Sequence, residues 1–278
     1  MKKNFKVILL AVVMALSIVV LTACNIDFNN LKGEIENMFS DIFTDENTTT
    51  ITPSNVNVEG NFKASDIPAF TGEAYVSING SIPFFTDDEK NTKVFETYSP
   101  LDSLGRCGVA YANICKELMP TEERGAIGSV KPSGWSQVKY SFVDGQYLYN
   151  RCHLIGFQLA GENANPLNLI TGTRYLNIEG MLPFENLVDD YVDETKNHVL
   201  YRVTPIYEGN DLVCRGVLME GFSVEDDGEG VCFCVFAYNV QPGVKINYAD
   251  GSSTLDGTKT EITEISFLFF EVTKEYIH

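Results

Sequence analysis

Alternation of apolar and polar positions is sparse over the first sixty residues and clearest from residue 137 onward. Tyr75, Ser77 and Asn79 alternate with Val76, Ile78 and Gly80, which predicts a short strand ending in a turn. Residues 109–118 fit a strand or a short helix. Val138, Tyr140 and Phe142, a turn at Asp144-Gly145, and then Tyr147, Tyr149, Arg151 and His153 at a period of two predict a hairpin. Pro183 suits the first position of a helix running to about 195, with Leu187, Val188, Tyr191 and Val192 on one face. Three strand-like runs follow, 199–207, 212–222 and 231–240, separated by Gly209-Asn210-Asp211 and Asp226-Asp227-Gly228. Strands and helices mixed in this order predict an α+β domain.

The two ends read differently. Lys2, Lys3 and Lys6 precede an apolar run over 7–20, too short for a comfortable membrane span, which closes on Leu21-Thr22-Ala23-Cys24. This resembles a bacterial lipoprotein signal, with 1–23 as signal peptide and Cys24 as the lipidated N-terminus of the mature chain at the outer face of the cell membrane. An uncleaved anchor or a plain signal peptide is the alternative, and either implies export. Residues 24–62, rich in Asn, Asp, Glu and Thr, read as a flexible tether. The folded domain is expected over 63–250, with a tail over 251–278 that holds one apolar run at 265–272.

Charge narrows the choice of partner. Lys+Arg 20 against Asp+Glu 38 gives a net charge of −18, which excludes nucleic-acid binding by bulk positive charge. A local groove is still open to the chain, because the stretch from Arg106 to Arg174 holds more bases than acids. Six cysteines follow Cys24, namely Cys107, Cys115, Cys152, Cys214, Cys232 and Cys234. Without paired CxxC or spaced histidine ligands they read as buried thiols or bridges, not as a metal site.

Of the three histidines, His278 is terminal and His198 opens a strand after a helix, a structural position. His153 stands in Asn150-Arg151-Cys152-His153, where alternation puts Arg151 and His153 on one side and Cys152 on the other. That alternation disfavours a Cys152–His153 nucleophilic pair. Downstream lie Asn168, Asn177 and Glu185. The ordered set resembles the DNA/RNA non-specific endonucleases with a ββα-metal (His-Me) finger, nearest to secreted or surface streptococcal-type DNases. Their Asp-Arg-Gly-His motif is matched by 150–153, with Asn150 in place of Asp and Cys152 in place of Gly. A position requiring positive φ would strain a cysteine, so the backbone at Cys152 is expected to be extended.

The resemblance implies a ββα-metal fold with a central antiparallel sheet, and a Mg²⁺-dependent endonuclease for which Mn²⁺ could substitute. It gives DNA as substrate, RNA as a second one, and 5′-phosphate products. His153 would be the general base and Asn177 the direct metal ligand. Glu185 would hold metal-bound water, Asn168 would hydrogen-bond near the phosphate or orient the His153 loop, and Arg151 and Arg106 would bind phosphate. The alternatives are an inactive nucleic-acid-binding surface lipoprotein, a secreted toxin nuclease, and a surface lipoprotein without the chemistry.

Overall fold

The computed structural model describes residues 62–257. The signal segment, most of the tether and the apolar run at 265–272 lie outside the described residues. Strands β1 (Tyr75–Ser77), β2 (Glu96–Tyr98), β3 (Ala110–Ile114), β6 (Val199–Ile206), β7 (Gly216–Ser223) and β8 (Cys232–Tyr238) form one antiparallel sheet, in the order β1-β8-β7-β6-β3-β2. Between β3 and β6 the chain builds a separate unit. It comprises β4 (Tyr149–His153), the one-turn helix α1 (Phe157–Ala160), β5 (Leu169–Thr173), a π-helical turn (Leu176–Met181) and helix α2 (Leu182–Thr195). Strands β9 (Val244–Ile246) and β10 (Ser253–Leu255) close a small ladder beyond the main sheet, so ordered pairing continues past residue 250.

The central strand β7 is buried along its whole length because both faces of the sheet are covered. On one face Val199, Tyr201, Val203, Val217, Met219, Phe233 and Val235 pack against Cys152, Leu154, Leu176, Met181, Val188 and Val192 of the ββα unit. Each fully buried aliphatic side chain of this kind stabilises the fold by about 1.5–3 kcal/mol. On the other face Ile78 and Phe62 pack on Leu218, Phe236 and Tyr238, while Phe85 joins Leu200 and Phe222. Residues 233, 235 and 237 of β8 enter one cluster and 234, 236 and 238 the other, as a period of two requires.

Helix α2 begins at Leu182 with proline in its first turn, as the sequence predicts. Its buried face is Val188 and Val192, whereas Leu187 is exposed. The predicted hairpin is only partly formed. A bridge joins Lys139 to Tyr147 around the turn, but β4 pairs over its full length with β5, His153 opposite Leu169 and Tyr149 opposite Thr173. The alternation at 147–153 identified a strand correctly. Its principal partner is a later segment whose five residues are all buried, and which therefore shows no alternation of its own.

Candidate active site

His153 ends β4 and is 5% exposed. Its Nε2 lies 2.8 Å from the Asn163 carbonyl oxygen. A carbonyl only accepts, so Nε2 carries the hydrogen and Nδ1 keeps the lone pair. Nδ1 faces Arg124, whose Nη2 is 3.5 Å away. Burial lowers the pKa of His153 and the Arg124 charge adds to the effect, so the imidazole stays neutral.

Asn168, the residue just before β5, reaches the same loop and is fully buried. Its Oδ1 accepts from Ile155 N–H at 2.9 Å and its Nδ2 donates to Ile155 O at 2.9 Å. Its own carbonyl takes Leu154 N–H at 2.9 Å. The two residues after His153 are thereby clipped to the start of β5.

Asn177 sits in the π-helical turn, where Leu182 N–H donates to Asn177 O, five residues back. Such turns recur at functional sites because the extra residue displaces a side chain from the regular spiral. Asn177 Oδ1 accepts from the Cys152 thiol at 3.0 Å. Cys152 is an ordinary strand residue with extended backbone, and its sulfur also lies 3.4 Å from Met181 Sδ. The substitution for glycine is therefore unstrained. Cys152 turns toward Asn177 and the core while His153 turns toward Asn163 and Arg124, so no Cys–His pair forms.

Glu185 lies in the first turn of α2 and is 8% exposed. Its carboxylate packs over Gly156, where any Cβ would fall 2.8 Å from Oε1. It has no hydrogen-bond partner among the described residues. Burial pushes its pKa up to about 8, opposed only by the Arg124 charge. A buried carboxyl without donors holds its proton above the usual carboxylate range.

Asn177 and Arg124 line an open cleft of about 600 Å³, together with Trp135, Tyr147, Arg151 and Arg174 among others, with no acidic residue in its walls; His153 lies behind Arg124 and Glu185 is buried, neither of them in the lining. Arg151 stacks on Trp135 at 4.2 Å and donates to the carbonyls of Val130 and Gly128, which fixes the near wall. Two of its five N–H donors are used in this way. Arg174 is paired with Asp144 at 2.7 Å. Arg106 does not reach the cleft. Its Nε binds Asp102 at 2.7 Å, its Nη1 binds the carbonyls of Gly209 and Asp211, and its guanidinium lies on the Tyr207 ring. These contacts fasten the 102–106 loop to the β6–β7 turn.

Arg124 is the residue that sequence reasoning missed. It belongs to an irregular stretch between β3 and β4, within Glu122-Glu123-Arg124-Gly125, where no periodicity or spacing distinguishes it. The cysteine alternatives resolve in favour of thiols, since all six cysteines after Cys24 are unbridged.

The sequence profile of the DNA/RNA non-specific endonucleases matches residues 87–224. A curated deoxyribonuclease from Streptococcus dysgalactiae subsp. equisimilis is 32% identical over 126 residues, which are 43% of this chain and 37% of that relative. The chain thus matches little more than a third of the length of that relative. NucA from Streptococcus agalactiae, solved with a magnesium ion bound, is similar at 27% identity and a TM-score of 0.58, over 66% of this chain and 87% of NucA. Sda1 nuclease, solved with a bound zinc ion, is 31% identical with a TM-score of 0.52, over 58% of this chain and 81% of Sda1. The α+β architecture, with its antiparallel sheet and inserted ββα unit, is the fold of these nucleases. On profile, sequence and fold together, the chain belongs to the DNA/RNA non-specific endonuclease family.

Proposed function

We propose that the chain is a Mg²⁺-dependent, sequence-nonspecific endonuclease that cuts DNA, with RNA as a second substrate, and leaves 5′-phosphate ends. The observation that carries this reading is a buried Glu185 with no hydrogen-bond donor among the described residues, together with a neutral His153 whose Nδ1 keeps its lone pair toward Arg124, a residue of the arginine-walled cleft. The donor set fits a hard cation. Asn177 offers a neutral oxygen at the cleft, and Glu185 is a carboxyl with no protein donor to satisfy it. Asn177 would hold Mg²⁺ directly and Glu185 would hold its waters, and the magnesium in NucA supports that choice of ion. Bound there, Mg²⁺ supplies Lewis-acid neutralisation of the phosphate and of the departing 3′-oxygen.

The protein's own groups do the rest. His153 takes a proton from water at Nδ1, and the resulting imidazolium keeps its Nε2–H on Asn163 O, so the ring does not turn during the transfer. Arg124 holds His153 neutral beforehand and is placed to bind a phosphate oxygen afterwards, once the substrate draws its guanidinium into the cleft. Asn168 keeps the 153–155 backbone in register with β5. Arg151 and Trp135 form a wall that meets phosphate and sugar rather than base edges, which gives binding without sequence preference. Arg106 acts as a fastener of its loop. Export and attachment through a lipid on Cys24 would place the activity at the outer face of a bacterial membrane.

The test is cleavage of supercoiled plasmid and of single-stranded RNA by the full chain, with Mg²⁺ and with chelator, beside His153→Ala. Mg²⁺-dependent nicking that falls by about 10²- to 10⁴-fold in the variant supports the reading. A folded, Mg²⁺-loaded chain that cuts neither substrate contradicts it and leaves a nucleic-acid-binding lipoprotein.

A further inference from the structure

A cysteine, a glutamate and a histidine distant in sequence converge where β3 leaves the sheet and β6 enters it. The antiparallel ladder ends with Ile114 opposite Val199, so one step further Cys115 and His198 face each other across the strands. A turn closed by Leu118 N–H on Cys115 O, at 3.1 Å, brings Glu117 back, and the Cys115 thiol donates to Glu117 Oε2 at 3.3 Å. One ligand atom from each of the three residues lies within 4.8 Å of the other two. Cys115 is buried, His198 half-buried and Glu117 exposed, so the cluster opens to solvent on the Glu117 side.

His198 is also held from behind. Its backbone N–H donates to Glu225 Oε2 at 2.8 Å and its Nδ1 donates to Oε1 at 2.6 Å. That contact fixes the ring and leaves Nε2 with its lone pair. A carboxylate behind an imidazole is the arrangement that orients histidine toward a metal and raises its basicity. None of these residues lines the arginine cleft. The donor set is also of another kind, because a thiolate, an imidazole and a carboxylate select a borderline-soft transition ion over Mg²⁺.

We propose that Cys115, Glu117 and His198 form a second metal site, outside the cleft, that takes Zn²⁺ with Glu225 orienting the histidine and water as the fourth ligand. On binding, the Cys115 S–H bond gives its proton to solvent and the sulfur coordinates as thiolate. The ion ties the β3–β6 edge to the beginning of the irregular segment that runs on to Arg124. The site is thus a staple at the root of the loop that serves His153.

Cobalt is the probe, because sulfur-to-Co²⁺ charge transfer gives an intense near-ultraviolet band. The full chain is stripped with chelator and titrated with Co²⁺ in excess Mg²⁺, and the same is done for variants. The band is expected in the wild type, in Asn177→Ala and in Cys152→Ser, and its loss is expected in Cys115→Ser. Loss of the histidine's support in Glu225→Gln is expected to weaken Co²⁺ binding by about 10- to 100-fold. A wild-type chain without the band, or a band that survives Cys115→Ser, overturns the proposal. Should Cys115→Ser fail to fold, Glu117→Gln decides at an exposed position, where weakened binding supports the site and unchanged binding overturns it. The readout does not involve nucleic acid, so it fails independently of the nuclease reading.

Discussion

Both faces of the main sheet bury a glutamate, and the two are treated in opposite ways. Glu220 on β7 is 1% exposed and fully partnered: Arg202 binds it through Nε at 2.7 Å and Nη2 at 2.8 Å, and Phe84 N–H adds a third donor at 2.8 Å. Arg202 in turn lies on the Phe85 ring at 4.7 Å. Glu185, against the other face, receives no hydrogen bond among the described residues and has its pKa pushed up to about 8. Burial alone does not mark a functional carboxylate. Burial without hydrogen-bond donors makes Glu185 the stronger candidate, since only the nearby Arg124 charge favours its ionised form and an incoming cation would favour it further.

The strongest way to break this contrast is to remove each glutamate in turn. Glu220→Ala leaves the half-buried Arg202 with Glu89 as its remaining acidic partner and Phe84 N–H without its acceptor, and is expected to destabilise the fold by about 1–3 kcal/mol, measured by denaturant unfolding. Glu185→Gln replaces a neutral carboxyl with a neutral amide. It should leave metal-free stability unchanged or higher, while metal-dependent cleavage falls by about 10- to 100-fold in steady-state assays. Equal destabilisation by the two variants would erase the distinction.

Smaller effects sharpen it. Asn168→Leu leaves Ile155 N–H and O unpaired in a buried loop and should cost about 1–3 kcal/mol, with a drop in turnover as His153 loses its support. The pH dependence of metal-free stability carries two signatures. Glu185 has its pKa raised from 4.5 to about 8, so the native state keeps a proton that the unfolded chain releases. Its contribution is fully present below 4.5 and is lost as pH rises through about 8. His153 is shifted down from 6.5, so below that value the unfolded chain takes up a proton first and stability falls with acid. Thermal melts across pH should show both limbs in the wild type and only the histidine limb in Glu185→Gln. The smallest effect is expected at Arg106, outside the cleft. Arg106→Gln should loosen the 102–106 loop yet change turnover by less than about 3-fold, within the range of an indirect contact.

The catalytic candidates were legible because they are local. His153, Asn168, Asn177 and Glu185 fall within one strand–strand–helix unit, where short connections make sequence spacing a substitute for distance. The strands β6 to β8 were legible from their apolar runs and separating turns, and the start of α2 from Pro183. What the sequence hid was produced by tertiary contact. Arg124 gains its meaning only when an irregular loop folds back onto His153, and Arg106 loses its apparent freedom to carbonyls of the β6–β7 turn. Leu187 lies close to the apolar stripe yet is exposed, because α2 buries a narrower face than the pattern suggests. The Cys115–His198 encounter is set by the register of β3 on β6, which no spacing records.

The most direct test of the central claim is proton release on saturation with Mg²⁺, followed with a pH indicator in weakly buffered solution near neutrality. A buried Glu185 that ionises only beside the ion should release roughly one proton per metal bound, and Glu185→Gln should release none while retaining its fold. Release of the same size from both proteins, or none from the wild type when Mg²⁺ is bound, would contradict the account.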